Sequence, residues 1–302
     1  MRTTLKDSRL GRVIRRMGRQ TLSATKATGL RLFLAREECR ARMAVPVPNI
    51  QAAAGTTAMI AHVFYADLLD EILACHALLP AGTPLHLTAP APVAAALAPR
   101  IGALPHAVLH TVENRGRDIA PFLTVLRSGM LDAYPAVLKL HTKRSPHLGH
   151  GDLLRRALFS SLAGYPESVG RILRIIEDPS VGMVGWRQVF MTSPRHWYTN
   201  RSRVESLAMA LDPPAEPRLA FFGGSMFWFR PDALRSIAAL DIGPEDFEPE
   251  AGQIDGTLHH ALERCFAISA AARGYSVVDT KGAVLLAAAT SPGAVKKRAS
   301  RA

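Results

Sequence analysis

The chain contains no uninterrupted apolar run of roughly 18 residues, so no spanning helix is expected from hydropathy. Cysteine is scarce: the three residues, Cys39, Cys75 and Cys265, lie far apart without a C-x-x-C pair. That spacing supports neither a disulfide framework nor a zinc site and suits a reducing compartment. Also missing are the G-x-x-x-x-G-K-[ST] phosphate loop, G-x-G-x-x-G, H-E-x-x-H and the G-x-S-x-G nucleophile elbow. These absences remove the simplest signatures of P-loop, dinucleotide, zinc-protease and serine-hydrolase chemistry. No internal repeat is evident.

Acid is missing from residues 8–36, and this is where the charge of the chain is set. Residues 1–42 hold twelve Lys and Arg against Asp7, Glu37 and Glu38, and Lys296, Lys297, Arg298 and Arg301 make the last seven residues basic. The stretch 43–295 is almost neutral, with 21 basic and 22 acidic residues. The net charge of +12 therefore belongs to the two ends. A nucleic-acid binder carries its basic patch on the folded domain, so no nucleic-acid partner is expected. Leu10, Val13, Ile14 and Met17 follow helical spacing, with most arginines on the other side. Such a helix can lie on an anionic membrane surface; a loose basic tail and an Arg-rich transit peptide are the alternatives.

What remains is a chain of 302 residues, 48% hydrophobic, able to bury a sizeable core. We divide it into a basic tail at 1–48, one domain over 56–290 and a basic C-terminal tail at 291–302. Strands are expected at Thr57–Phe64, Pro84–Thr88, His106–Val112, Ala136–His141, Val181–Gly185, Leu219–Phe229, Tyr275–Asp279 and Val284–Ala287. Helices are expected at Asp67–Leu78, Pro92–Ala98, Ile119–Leu131, Glu167–Glu177, Pro231–Leu240 and Asp255–Ala272, with 186–217 irregular. This alternation predicts an α/β fold with a mainly parallel mixed sheet flanked by helices. Such sheets bind ligands at the carboxyl ends of their strands.

Four segments carry candidate chemistry. Glu113-Asn114-Arg115-Gly116-Arg117-Asp118 turns from a strand into a helix, a place suited to phosphate. Asp118 could equally be a helix cap. In Leu138-Lys139-Leu140-His141-Thr142-Lys143-Arg144-Ser145, alternation puts Lys139, His141 and Lys143 on one face. These cations would meet a diphosphate or else pair with buried acids. In Phe221-Phe222-Gly223-Gly224-Ser225-Met226-Phe227-Trp228, two glycines interrupt an apolar strand, so the aromatics are either a sugar-stacking wall or core. In the segment from Asp246 to Arg264, Asp255 is a helix cap or a general base, with His259 and Glu263 following on one face.

In that order, E-N-R-G-R-D-I-A-P-F at 113–122, L-K-L-H-T-K-R-S at 138–145, G-G-S-M-F-W-F-R-P at 223–231 and D-G-T-L-H-H-A-L-E-R at 255–264 resemble the rhamnan synthesis F family. The resemblance runs from Ala61 to about Arg264. It implies a GT-A-like nucleotide-sugar-binding domain, a glycosyltransferase of surface polysaccharide, and a site on the cytoplasmic face of the membrane. It implies donor binding by Asn114, Arg115, Gly116, Arg117, Asp118, Lys139, His141 and Lys143. Asp255 or Glu250 would deprotonate the acceptor, a lipid-linked or polysaccharide glycan. Gly223, Gly224, Ser225, Trp228 and His259 would shape the sugar pocket. The metal-binding D-x-D of many GT-A enzymes is absent, so no metal ligand and no required cofactor is expected, the cations serving instead. A glycan-binding module without turnover is the alternative.

Overall fold

The computed structural model describes residues 9–43, 55–145 and 148–289, with side chains of the first helix from Ser23 to Arg40. The basic stretch 291–302 lies outside the described residues. Two compact units separate: Met1–Pro46 with Lys143–Ser160, and Val47–Thr142 with Ser161–Ala302.

The first unit contains a 35-residue helix, α1 (Arg9–Met43). The side chains of Leu10, Val13, Ile14 and Met17 lie outside the described ones. Ser23, Ala27, Leu30, Phe33, Leu34 and Glu37 recur at helical spacing as its less exposed side. Ser23 Oγ lies 3.1 Å from His150 Nδ1. Arg155, buried, donates to the Lys143 carbonyl at 3.0 Å and pairs with Asp152.

The second unit is built on eight strands: β1 (Thr57–His62), β2 (Leu85–Pro90), β3 (Ala107–Val112), β4 (Ala136–His141), β5 (Val181–Gly185), β8 (Phe227–Phe229), β9 (Ser276–Asp279) and β10 (Val284–Leu286). Two short strands, β6 (Phe190–Met191) and β7 (Phe221–Phe222), pair separately. The main order is β10-β9-β5-β8-β4-β1-β2-β3. β1, β2, β3 and β4 run parallel, as do β5 and β9; only β8 and β10 run against their neighbours. β1, β2 and β4 are buried along their whole length, as near-continuous apolar runs in a covered parallel sheet should be.

The helices of this unit are α2 (Leu69–His76), α3 (Ala91–Ile101), α4 (Ile119–Arg127), α6 (Pro166–Glu177), α7 (Arg201–Met209), α8 (Arg235–Ala238) and α9 (Leu258–Ala272). The intervening α5 (Gly151–Ala163) passes from the first unit to the second at Ser160. Phe122, Phe227, Phe229 and Phe266 meet edge-on or tilted at centroid distances of 5.3–6.0 Å, an aromatic centre for the core. Among the described residues no helix is long and apolar enough to cross a membrane.

Three expectations are corrected. The apolar run Leu219–Phe229 is not one strand: Gly223-Gly224-Ser225 turns the chain, and β7 and β8 belong to different sheets. The last long helix starts at Leu258, not Asp255, because Gly256 has φ +82° and Thr257 is extended. The stretch 186–217 is not wholly irregular, since it contains α7.

Candidate functional site

β8 is reversed, so its beginning lies at the edge where β1, β3 and β4 end. The turn at 223–226, the loop at 113–118 and the end of β4 therefore meet.

Lys139 is at their centre and only 2% exposed. Its Nζ donates to Asp118 Oδ2 at 2.6 Å, to the Ser225 carbonyl at 2.8 Å and to Ser225 Oγ at 2.9 Å. The rings of Phe122 and Phe227 lie 5.1 and 5.7 Å from the ammonium. A buried cation needs such compensation, and Lys139 here pairs with a buried acid. Asp118 precedes α4 but makes no side-chain cap bond; its carboxylate is directed to Lys139, with His141 Nδ1 3.6 Å away. His141 and Lys139 share a face as alternation requires, and His141 Nε2 donates to the Gly224 carbonyl at 2.8 Å. The Gly224 N–H donates to Glu263 Oε1 at 2.8 Å. Gly224 and Ser225 both have positive φ, +95° and +53°. Two elements thus clamp this turn: β4 through Lys139 and His141, with Asp118 paired to Lys139, and α9 through Glu263.

The arginines of the first loop act as straps. Gly116 has φ +62°, and an added Cβ would lie 2.5 Å from the Phe247 ring. This contact brings 113–118 against 245–253. Arg117 makes a bidentate pair with Glu250 at 2.9 and 3.1 Å and also donates to the Gln253 carbonyl. Arg115 donates to the carbonyls of Glu245 and Phe247 at 3.3 and 3.2 Å. Asn114 is exposed beside them.

Asp255 does not cap α9. It accepts Thr199 N–H and Oγ1–H at 2.9 and 2.7 Å, and the Asn200 amide. Its carboxylate thus organises the approach to α7. The backbone N–H of Leu258 at the α9 start is taken by Glu248 at 2.9 Å, and Glu248 also pairs with Arg203 at 2.5 Å. Burial opposes ionisation of Asp255, but bonds from Thr199 and Asn200 outweigh it and hold the carboxyl below its ordinary range. Glu250 is likewise held low, by Arg117 first, against partial burial. His259 and His260 flank Thr257 Oγ1, with ring centroids 4.1 Å apart. Burial lowers them to about 4 and about 3, so both are neutral imidazoles at neutral pH.

The structure therefore brings Arg115, Gly116, Arg117, Asp118, Lys139, His141, Gly224, Ser225, Glu250 and His259 into one connected region, with Asp255 at its margin. Lys143 belongs to the other compact unit. Trp228 is enclosed in the core, its indole N–H donating to the Leu162 carbonyl at 3.0 Å, and does not line a pocket. Sequence reasoning missed Thr199 and Asn200 as parts of this region, and gave Glu248 and Arg264, both inside the fourth segment, no role. The Thr-Asn pair ahead of Arg201 was the available signal, as a helix-start pattern. Among the described residues no group of three or more His, Cys, Asp or Glu could hold a metal ion.

A family model described as rhamnan synthesis protein F matches residues 38–275. The uncharacterized protein WxcX of two Xanthomonas campestris pv. campestris strains is 33% and 32% identical over 230 residues. The alignment covers 74% of this chain but 32% of those proteins, so the chain spans about a third of the relatives it matches. All four motifs fall within the matched range. The chain belongs to the rhamnan synthesis protein F family.

Proposed function

We propose that this chain transfers a sugar, rhamnose by the family's description, from a nucleotide-sugar donor to a polysaccharide or lipid-linked glycan. The observation that carries the reading is convergence: motifs spread from residue 113 to 264 meet at the carboxyl edge of a mainly parallel sheet, where such folds bind ligands. A GT-A-like domain accords with that arrangement.

In this reading Arg115 and Arg117 face the donor diphosphate, with His141 on the same sheet edge. Lys139, already neutralised, fixes Asp118 and the Gly224–Ser225 turn from behind. The acceptor oxygen attacks the anomeric carbon as the bond to the diphosphate breaks; the diphosphate leaves with the electron pair. Glu250 or Asp255 takes the acceptor proton if the reaction inverts. Arg117 can change partners from Glu250 to diphosphate, which would free Glu250 and restore its basicity. No D-x-D metal enters this scheme. The basic N-terminal helix would rest on an anionic membrane at its cytoplasmic face.

One observation favours a second reading, a glycan-binding module without turnover: Asp255 and Glu250 are both saturated by hydrogen-bond donors and held weakly basic.

Thermal shift against a panel of nucleotide sugars, with EDTA or with Mn²⁺, tests the proposal. A ligand at 100-fold its Kd stabilises by about 2.7 kcal/mol. The transferase predicts a shift with one donor that survives EDTA, and turnover that Asp255→Asn removes while the shift persists. Absence of any shift moves the weight to the binding module.

A further inference from the structure

The aromatics expected to stack a sugar, Phe222, Phe227 and Trp228, are all enclosed. Among the large apolar side chains of the described residues, two are the most open. Tyr198 is 66% exposed and Ile254 is 81% exposed. They flank one joint, because Thr199 is bonded to Asp255 through both its N–H and its hydroxyl. Gly256 packs against the same threonine: an added Cβ there would lie 2.9 Å from Thr199 Oγ1. The two backbone segments therefore run side by side, next to one of the candidate bases.

Tyr198 has φ +46° and ψ −125°, a left-handed conformation disfavoured for an aromatic residue. Such conformations persist where surrounding structure imposes them, and they cluster at functional sites. The imposing group here is Arg264. Buried, it donates to the His196 carbonyl at 3.1 and 2.9 Å, which fixes the loop two residues ahead of Tyr198, and to the His260 carbonyl within its own helix. Its guanidinium lies 4.8 Å from the Phe221 ring centroid and 5.9 Å from that of Tyr198. Tyr198 is thus a largely solvent-facing ring on a rigid support, with Arg264 and His196 on its protein side.

We infer that Tyr198 and Ile254 form the acceptor subsite and take a 6-deoxy pyranose of the glycan. This rests on the glycan-directed reading of the same sheet edge. A pyranose presents an apolar C–H face that stacks on an aromatic ring, while its hydroxyls need polar partners. A 6-deoxy sugar carries a methyl group where other hexoses carry a hydroxymethyl. The Tyr198 ring supplies the stacking surface, Ile254 meets the methyl, and Asp255 stands beside the acceptor hydroxyl.

Isothermal titration and saturation-transfer NMR with an L-rhamnose trisaccharide, and maltotriose as control, test this on the full chain. The parent is expected to bind the rhamnose trisaccharide in preference to maltotriose. Tyr198→Ala should lose about tenfold in affinity, the scale of an aromatic contact. Tyr198→Trp should retain it, Ile254→Ser should narrow the preference over maltotriose, and thermal midpoints should be unchanged. Equal affinities of Tyr198→Ala and parent, or a parent that binds neither trisaccharide, overturn the subsite. Loss of trisaccharide binding in Tyr198→Ala, with no nucleotide sugar recognised by the parent, keeps the subsite and removes the transferase.

Discussion

Lys139 and Asp118 form an ion pair of 2.6 Å across 21 residues of sequence, and both members are buried. The pair joins the end of β4 to the start of α4 and carries the Ser225 turn with it. Removing one member of a buried pair leaves an uncompensated charge and costs about 3–5 kcal/mol. Lys139→Met is therefore expected to lower stability by that amount in urea titration. The double variant Lys139→Met with Asp118→Asn should recover a substantial part of it. Equal losses in single and double variants would mean that the charge balance is not what matters.

Arg117 is held by the carboxylate of Glu250. Removing that charge leaves Arg117 without its competitor. Glu250→Gln is expected to tighten pyrophosphate or nucleotide-sugar binding about tenfold, for a pair interaction near 1.4 kcal/mol. Turnover should fall in the same variant. Calorimetry of parent and variant at one salt concentration checks the first effect; unchanged or weaker binding would sink the exchange of partners.

Gly116 has no room for a methyl group and has a backbone that favours glycine. Gly116→Ala should cost at least about 1–3 kcal/mol for the conformation alone. Contact with Phe247 should also loosen residues 245–253. Limited proteolysis is expected to cut this segment faster in the variant. An unaltered cleavage pattern would show that the loop and the segment are not coupled.

Burial holds His62 at about 4, His259 at about 4 and His260 at about 3, against 6.5 ordinarily. Between those values the unfolded chain binds protons that the folded chain does not. Stability must then rise with pH through this window and level off above about 6.5. The carboxyl of Asp232, held at about 2 against burial by Arg273, Tyr275 and Arg235, adds a separate loss below its ordinary 3.8. Urea midpoints at about pH 7.5 and about pH 5 should differ, the lower pH giving the lower midpoint. His62→Gln should reduce the slope by about one proton. A flat profile would contradict neutral burial of these imidazoles.

Much of the fold was legible because buried parallel strands are written as bounded apolar runs. Ala136–His141 and Val181–Gly185 were expected with the bounds they have. α7 was missed because it buries only Val204 and Ala208, too few residues to leave a periodic signal. Leu219–Phe229 looked like one strand because hydropathy does not register a change of direction at Gly224 and Ser225. The site was legible as a set of motifs but not as a set of roles. Alternation along β4 put Lys139 and His141 on one face, yet nothing local distinguishes a lysine facing a phosphate from one facing Asp118. Asp255 carries a cap pattern for the helix that follows it, while its carboxylate serves a helix that precedes it by more than 40 residues.

β8 is only three residues long, pairs on both sides, and runs against both partners. Its length ties two distances together: Ser225 must reach Lys139 while Trp228 fills the interior. An inserted or deleted residue between them would interchange the two covered faces of the strand, putting the indole where the phenylalanines pack and the phenylalanines where the indole packs. The tripeptide thus works as a spacer of fixed count. Natural variation at this point should take the form of exchanged side chains, with the number of residues from the turn to Arg230 held constant.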